Sequence, residues 1–222
     1  MSLFSSSQNT TRTHFERQIK GVQQDVLRMG ALVESSCWLA RRALLERDLD
    51  AATAVDLQDK RIDQLYRQIE IDCVNLMALQ SPVSQDLRLL SALMQLVRDL
   101  ERIGDYATDI GELAVKLFPY PESAIMERVG LMLDRCRAMV ALSLESLSNL
   151  DLEAAKAIKH KDDAVDTDYE ELYTCLVQTP DLNQGVEPIV IIVLVIRCLE
   201  RIADHATNVG NRVVYIVTGK RQ

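Results

Sequence analysis

The amino-acid sequence predicts an all-α protein made of two tandem three-helix bundles that are related by an internal repeat. Three observations lead to this fold class. The 222 residues include only 8 Gly, 5 Pro and 5% aromatics, which suits long helices with few turns. Apolar residues recur in steps of three and four, and the second half of the chain repeats the first. We expect the first bundle to span residues 12–118 and the second to span residues 122–218.

The apolar periodicity defines long amphipathic helices. It runs without a break from Phe15 to Leu44 and again from Leu93 to Leu117. Pro82 and Pro180 precede the third helix of each repeat, as prolines near helix starts do. These signals predict a loose tail over 1–11, a link at 118–121, and helices at 12–46, 48–79, 84–117, 122–148, 151–178 and 185–217.

The repeat is visible residue by residue. Arg98–Thr108 aligns with Arg197–Thr207 at an offset of 99 residues, and Asp48–Ala52 aligns with Asp151–Ala155 at an offset of 103. Two copies are too few for a solenoid, so each copy is expected to form a bundle with its own core. The repeat also decides the secondary structure of the β-branched run Ile189–Ile196. Alone, this run is typical of a strand, but its counterpart in the first copy has a helical pattern, so we predict a helix.

Composition excludes several classes of function. The net charge is −8 and no run of Lys and Arg stands out, which disfavours nucleic-acid binding. The five cysteines form no CxxC pair, so we expect reduced thiols in a cytoplasmic protein. No signal peptide is visible and the longest apolar run ends at Arg197, so contact with a membrane is expected only through partners.

Each repeat carries two acid-x-x-x-acid pairs on different helices, and i,i+4 spacing puts both members of a pair on one helix face. If the two helices are neighbours, four carboxylates could bracket a cation. The candidate metal ligands are Asp59, Asp63, Glu101 and Asp105 in the first copy, and Asp162, Asp166, Glu200 and Asp204 in the second.

The residues alone leave two interpretations of these pairs open. A helical chain with 33 acids is expected to contain about five such pairs by chance, so they fit an ordinary solvated face. Both copies nevertheless retain like charges that cost roughly 0.2–0.5 kcal/mol per pair. Carboxylates are hard oxygen ligands that suit Mg²⁺, Mn²⁺, Ca²⁺ or iron, while they suit a tetrahedral zinc site poorly.

Other residues carry weaker signals. His14, His160 and His205 are expected at the surface or at helix ends, and Trp38 is expected to be packed. The paired arginines at positions 98, 102, 197 and 201 most simply neutralise nearby acids, although they could bind an anion. The sequence has no Glu-x-x-His pair, no phosphate-binding Gly loop and no nucleophile motif. We therefore predict that the protein is not an enzyme.

Nearly the whole chain, about residues 12–219, resembles the PhoU family of accessory regulators of bacterial phosphate-specific transport. The resemblance rests on five motifs: Thr13–Phe15, Pro82–Arg88, Asp99–Asp105, Leu199–Asn208 and Tyr215–Gly219. It implies a pair of three-helix bundles with E(D)xxxD motifs that bind metal ions at the surface in some members. This chain departs from the family at Asp109, where Asn is frequent, and at Thr179–Leu182, which replaces the Pro-Val-x-x-Asp-Leu-Arg element.

The resemblance further implies a cytosolic negative regulator of the phosphate-starvation response. The expected partners are the phosphate sensor histidine kinase and the ATPase of the phosphate ABC transporter, and a homodimer is possible. The expected cofactors are divalent or trivalent metal ions such as Mg, Mn or Fe. Three alternatives stay open: a metal-dependent enzyme, a metal buffer or structural spacer, and an accessory of a different phosphate carrier.

Overall fold

A computed structural model describes residues 3–178 and 185–221, and the side chains from residue 14 onward within them. The described residues form six α-helices and no strand. The helices are α1 (Leu3–Glu46), α2 (Leu49–Gln80), α3 (Gln85–Leu117), α4 (Met126–Asn149), α5 (Leu152–Gln178) and α6 (Glu187–Thr218). Helices α1–α3 pack together as one bundle and α4–α6 pack as the second, which confirms the predicted fold class.

The predicted helix bounds are within two residues of the observed ones except at two starts: α4 begins at Met126 and not at 122, and α1 begins well before 12. Helix α1 begins at Leu3, whereas the sequence predicted a loose tail over residues 1–11. That segment contains neither Gly nor Pro, so nothing in it interrupts the backbone hydrogen bonds of a helix. Pro180 and the Thr179–Leu182 departure lie outside the described residues.

The two copies use the same turn before their second helix. Arg47 and Leu150, 103 residues apart, both adopt positive φ angles, 54° and 49°. Each precedes an aspartate whose side chain caps the next helix: Asp48 Oδ1 accepts from the Ala51 amide at 3.0 Å, and Asp151 Oδ1 accepts from the Glu153 amide at 2.9 Å. The capping aspartates explain why both helices begin at matching positions.

Helices α3 and α6 form the broadest contact between any two described helices, and α1 also packs against α4. Both α3 and α6 are therefore buried on two sides. Fourteen residues of α3 are buried, compared with six of α2, because α3 contacts its own bundle and the other one. The apolar interiors of the two bundles consequently join into one continuous core, in place of the two separate cores that the sequence predicted.

The β-branched run of α6 is helical, as the repeat predicted. Ile191, Ile192, Val195 and Ile196 are buried within it, because α6 needs a wide apolar face to contact both bundles. No helix in the described part of the chain is long and apolar enough to span a bilayer.

Candidate functional site

In the first bundle, α2 carries Asp59 and Asp63 opposite Glu101 and Asp105 of α3. The close approach of the two helices depends on Gly104, which directly precedes Asp105 and follows Glu101 by three residues. A Cβ at Gly104 would meet Ile62 Cδ1 at 3.1 Å and Asp59 Oδ1 at 4.0 Å. The small residue thus allows α2 to bring its carboxylates against those of α3.

The electrostatics of the first cluster show that its four carboxylates interact. Burial, reinforced by the charges of Asp105 and Asp63, raises the pKa of Asp59. Burial also raises the pKa of Glu101, with a further contribution from Asp105. The pKa of Asp105 rises through burial as well, although the neighbouring Arg102 opposes the rise. These shifts disfavour the ionised forms, so the cluster is an unfavourable concentration of negative charge.

Arginines offset part of this charge. Arg102 Nη1 lies 3.2 Å from Asp105 Oδ2, and its Nε lies 3.7 Å from Glu101 Oε2. Arg67 Nη2 donates to Asp63 Oδ2 at 2.5 Å. The neutralising role that the sequence suggested for Arg102 is therefore present in the structure.

The second bundle repeats the arrangement with Asp162 and Asp166 on α5 and Glu200 and Asp204 on α6. Burial, followed by the charges of Asp166 and Asp204, raises the pKa of Asp162 to about 6. Burial is also the largest cause of the raised pKa values of Asp166 and Glu200. Arg197 hydrogen-bonds Glu200, and Arg201 Nη1 lies 3.5 Å from Asp204 Oδ2. The two clusters therefore share their architecture and one compensating arginine, Arg102 in the first bundle and its repeat equivalent Arg201 in the second.

Asp162 differs from its equivalent in the first bundle, Asp59, because one of its oxygens is fully buried without a hydrogen bond of acceptable geometry. Asp162 Oδ1 and the neighbouring Thr207 Oγ1 are both buried without a hydrogen bond of acceptable geometry. The Thr207 hydroxyl is close enough to oppose the rise in the pKa of Asp162, but it does not cancel that rise. An unpartnered buried carboxylate oxygen favours a proton or a cation.

The structure thus brings all eight predicted residues together as two groups of four. Among the described residues, however, no three His, Cys, Asp or Glu side chains are arranged so that they could hold a metal ion. Several of the carboxylates point instead at arginines. The donor set of carboxylate oxygens fits a hard cation, as does the unpartnered oxygen of Asp162, but ligation would require the acids to reorient.

Two expectations about single residues are wrong. Trp38 is 43% exposed, because its ring lies on the surface of α1 under the Arg42 guanidinium, 4.7 Å from the ring centroid. His14 and His160 are exposed as expected, whereas His205 is largely buried at the contact between the bundles. There the His205 ring stacks on Tyr106 with a centroid separation of 5.9 Å.

The sequence analysis missed the polar contact that joins α3 to α6. Asp99 is only 8% exposed, and its Oδ1 accepts from His205 Nδ1 at 2.9 Å and from Asn208 Nδ2 at 3.2 Å. The signal lay in the repeat, since Asp99 aligns with Cys198, an apolar residue at a half-buried position. An acid that replaces an apolar residue in this way needs a partner across the interface.

The family sequence model described as PhoU domain matches the chain twice, over residues 26–114 and 129–213. The two matches correspond to the two bundles, and together they cover most of the chain. The chain belongs to the PhoU family. The internal repeat deduced from the sequence is therefore a duplication of the PhoU domain.

Relatives of the PhoU family align over nearly the full length of the chain. A phosphate-specific transport system accessory protein PhoU homolog from Synechocystis sp. is 51% identical over 221 residues, covering 100% of this chain and 99% of the relative. A protein of the same name from Pseudomonas putida is 33% identical, covering 92% and 81% of the two chains. These names describe accessory proteins and not enzymes.

Crystal structures of PhoU proteins have the same fold. The phosphate transport system regulatory protein PhoU from Streptococcus pneumoniae superimposes with a TM-score of 0.86 at 27% identity, over 94% of this chain and 99% of that one. PhoU from Pseudomonas aeruginosa superimposes with a TM-score of 0.84 at 32% identity, over 93% and 100% of the two chains.

Proposed function

We propose that this chain is a cytoplasmic accessory and regulatory protein of phosphate transport, which restrains the phosphate-starvation response when phosphate is plentiful. The observation that carries the proposal is the 51% identity, over the whole chain, to a phosphate-specific transport system accessory protein. The alignment covers 100% of this chain and 99% of that relative. The structural similarity to the phosphate transport system regulatory protein PhoU from Streptococcus pneumoniae supports the same role.

The mechanism is docking. The protein contacts the phosphate sensor histidine kinase and the ATPase of the phosphate ABC transporter through its helical faces. Each bundle exposes long helices on which a partner can lie, and recognition between a helix and a groove suits such surfaces. The relatives are named as accessory or regulatory proteins, which supports binding as the function.

The two carboxylate clusters bind divalent or trivalent metal ions in this proposal. The ligands of the first site would be Asp59, Asp63, Glu101 and Asp105, and those of the second would be Asp162, Asp166, Glu200 and Asp204. A bound cation would neutralise the repulsion that raises the pKa values of these acids. It would also partner the buried Asp162 Oδ1. The metal therefore sets the charge of the surface and stiffens it.

Deletion of the gene tests the regulatory role. We expect the deletion strain to produce high alkaline phosphatase activity in phosphate-rich medium, because the starvation response is no longer restrained. Expression of the wild-type chain from a plasmid should return the activity to the parental level. Activity that stays low in the deletion strain contradicts the assignment.

A further inference from the structure

One surface of the second bundle exposes several large apolar side chains to solvent. Here we call it the apolar patch, and it consists of Tyr173, Val177, Val186, Val190 and Leu194. Each of these residues is between 42% and 61% exposed. Val190 and Leu194 are four residues apart and share one face of α6, and Val186 lies four residues before Val190 at the N-cap of the helix.

Contacts between α5 and α6 place the residues of the patch side by side. The Arg197 guanidinium lies over the Tyr169 ring at 5.9 Å from its centroid, and Tyr169 stacks on Tyr173 at 6.1 Å. Because the two helices run antiparallel, Tyr173 lies one turn beyond Tyr169, at the level of Leu194. The next turns bring Val177 to the level of Val190.

The internal repeat shows that the fold does not require apolar residues at three of the five patch positions. The equivalents of Tyr173, Val190 and Leu194 in the first bundle are Glu70, Ser91 and Gln95. Where Tyr169 stacks on Tyr173, the first bundle has a hydrogen bond from the Tyr66 hydroxyl to Glu70 Oε1 at 3.0 Å. The same helical framework thus accepts polar residues at all three positions, and their replacement by exposed apolar residues points to a partner.

The acidic cluster of the second bundle continues this surface. Beyond Tyr169, the same face of α5 carries Asp166 and Asp162. Beyond Arg197, the same face of α6 carries Glu200 and Asp204. With Glu170 they make five carboxylates beside only two guanidiniums, those of Arg197 and Arg201. The surface therefore stays negative even with one divalent cation bound, so it is apolar at one end and acidic at the other.

We infer that the apolar patch and the adjoining acids form the docking surface for an amphipathic helix of a partner protein, with apolar residues toward one end and Lys or Arg toward the other. The inference rests on the proposed docking function and assigns it to one face. From Val186 to Asp204 the surface extends about 27 Å at 1.5 Å per residue, which matches a partner helix of about 18 residues. A second copy of this chain is a poorer occupant because its net charge is −8.

The test exchanges the patch for the residues of the first bundle. The patch variant is Tyr173→Glu/Val190→Ser/Leu194→Gln, and these residue types already occupy the equivalent positions of the same fold. The matched control is Leu57→Gln/Ile71→Ser/Leu79→Glu, which removes three exposed apolar residues from α2. Circular dichroism and thermal melts establish that both variants are folded.

Binding is measured with the purified cytosolic part of the sensor kinase and with the purified transporter ATPase from the same host. We expect the patch variant to bind at least one of them at least about tenfold more weakly, and the control variant to bind within about twofold of the wild type. Raising the salt concentration should weaken wild-type binding, because the acidic end contributes through charge.

The outcomes separate the inference from the proposed function. If the patch variant binds with wild-type affinity, the inference is overturned while the proposed docking function stands. No binding by the wild-type chain to either protein overturns the docking function and the inference with it. If the wild type sediments as a dimer and the patch variant does not, the surface binds a second copy of the chain and the inference is overturned. Patch-dependent binding to phosphatidylcholine/phosphatidylglycerol vesicles overturns it in favour of a membrane.

Discussion

His205 Nδ1 donates to Asp99 Oδ1 at 2.9 Å across the contact between the two bundles. The repeat places Tyr106 and Cys198 at the symmetry-equivalent positions, where no such polar pair can form. The approximate two-fold relation between the bundles is therefore broken at their interface. Asp99 is bonded to the His205 imidazole and to the Asn208 amide, whereas the Tyr106 ring stacks on His205.

Substitution of Asp99 tests what this contact contributes. Asp99→Ala removes the acceptor and leaves His205 and Asn208 without it in a largely buried interface. We expect the free energy of unfolding to fall by about 1–3 kcal/mol, measured by urea denaturation.

The control for Asp99 is Asp56→Ala, which breaks the exposed 2.9 Å pair with Lys60. Its expected cost is no more than about 0.5 kcal/mol. An equal loss in the two variants would mean that the interface contact contributes no more than a surface pair.

The sequence was sufficient to predict the helices, the duplication and the pairing of the acid motifs, because each depends on spacing within one helix or on comparison of the copies. It was insufficient for features that depend on how the bundles meet. The exposure of Trp38 and the burial of His205 follow from which helix faces the other bundle, and a single-helix pattern does not encode that choice. For the same reason, the sequence did not reveal that Asp99 contacts His205 and Asn208.

Glycines at one repeated position have different surroundings in the two copies. A Cβ at Gly210 would lie 2.8 Å from Ile158 Cδ1 and 3.0 Å from the Ala155 carbonyl oxygen, whereas at Gly111 nothing is closer than 3.8 Å. We expect Gly210→Ala to destabilise the protein by about 1–3 kcal/mol through overpacking. Gly111→Ala should be neutral or stabilising by up to about 1 kcal/mol, because alanine favours helices. Thermal melts that rank the two variants in the opposite order would contradict the described packing.

The pKa of Asp162, raised from 3.8 to about 6, predicts a pH dependence of stability. The folded state holds this proton more tightly than the unfolded state, so stability is gained below pH 4 and lost as pH rises through 6. In metal-free protein, Asp162→Asn should therefore be more stable than the wild type at pH 8, by about 1 kcal/mol once solvent screening is allowed for. The gain should vanish at pH 4. A gain of the same size at both pH values would show that repulsion involving an ionised Asp162 is not its cause.

Metal binding should stabilise the folded chain. After treatment with a chelator, Mn²⁺ at about 100 times its dissociation constant should add about 2.7 kcal/mol for each occupied site, or roughly 5–10 °C in Tm per site. Glu200→Gln/Asp204→Asn should reduce this shift and abolish one of the two sites in a calorimetric titration. An unchanged number of sites would remove the second cluster from the proposal.

The most direct test of the account is whether the carboxylate clusters are needed for regulation. The deletion strain is complemented with the wild-type chain or with a Glu101→Gln/Asp105→Asn/Glu200→Gln/Asp204→Asn variant, and alkaline phosphatase is measured in phosphate-rich medium at matched protein levels. The account predicts low activity with the wild type and high activity with the variant. Equally low activity with both would contradict it, because the clusters would then have no part in the regulatory function.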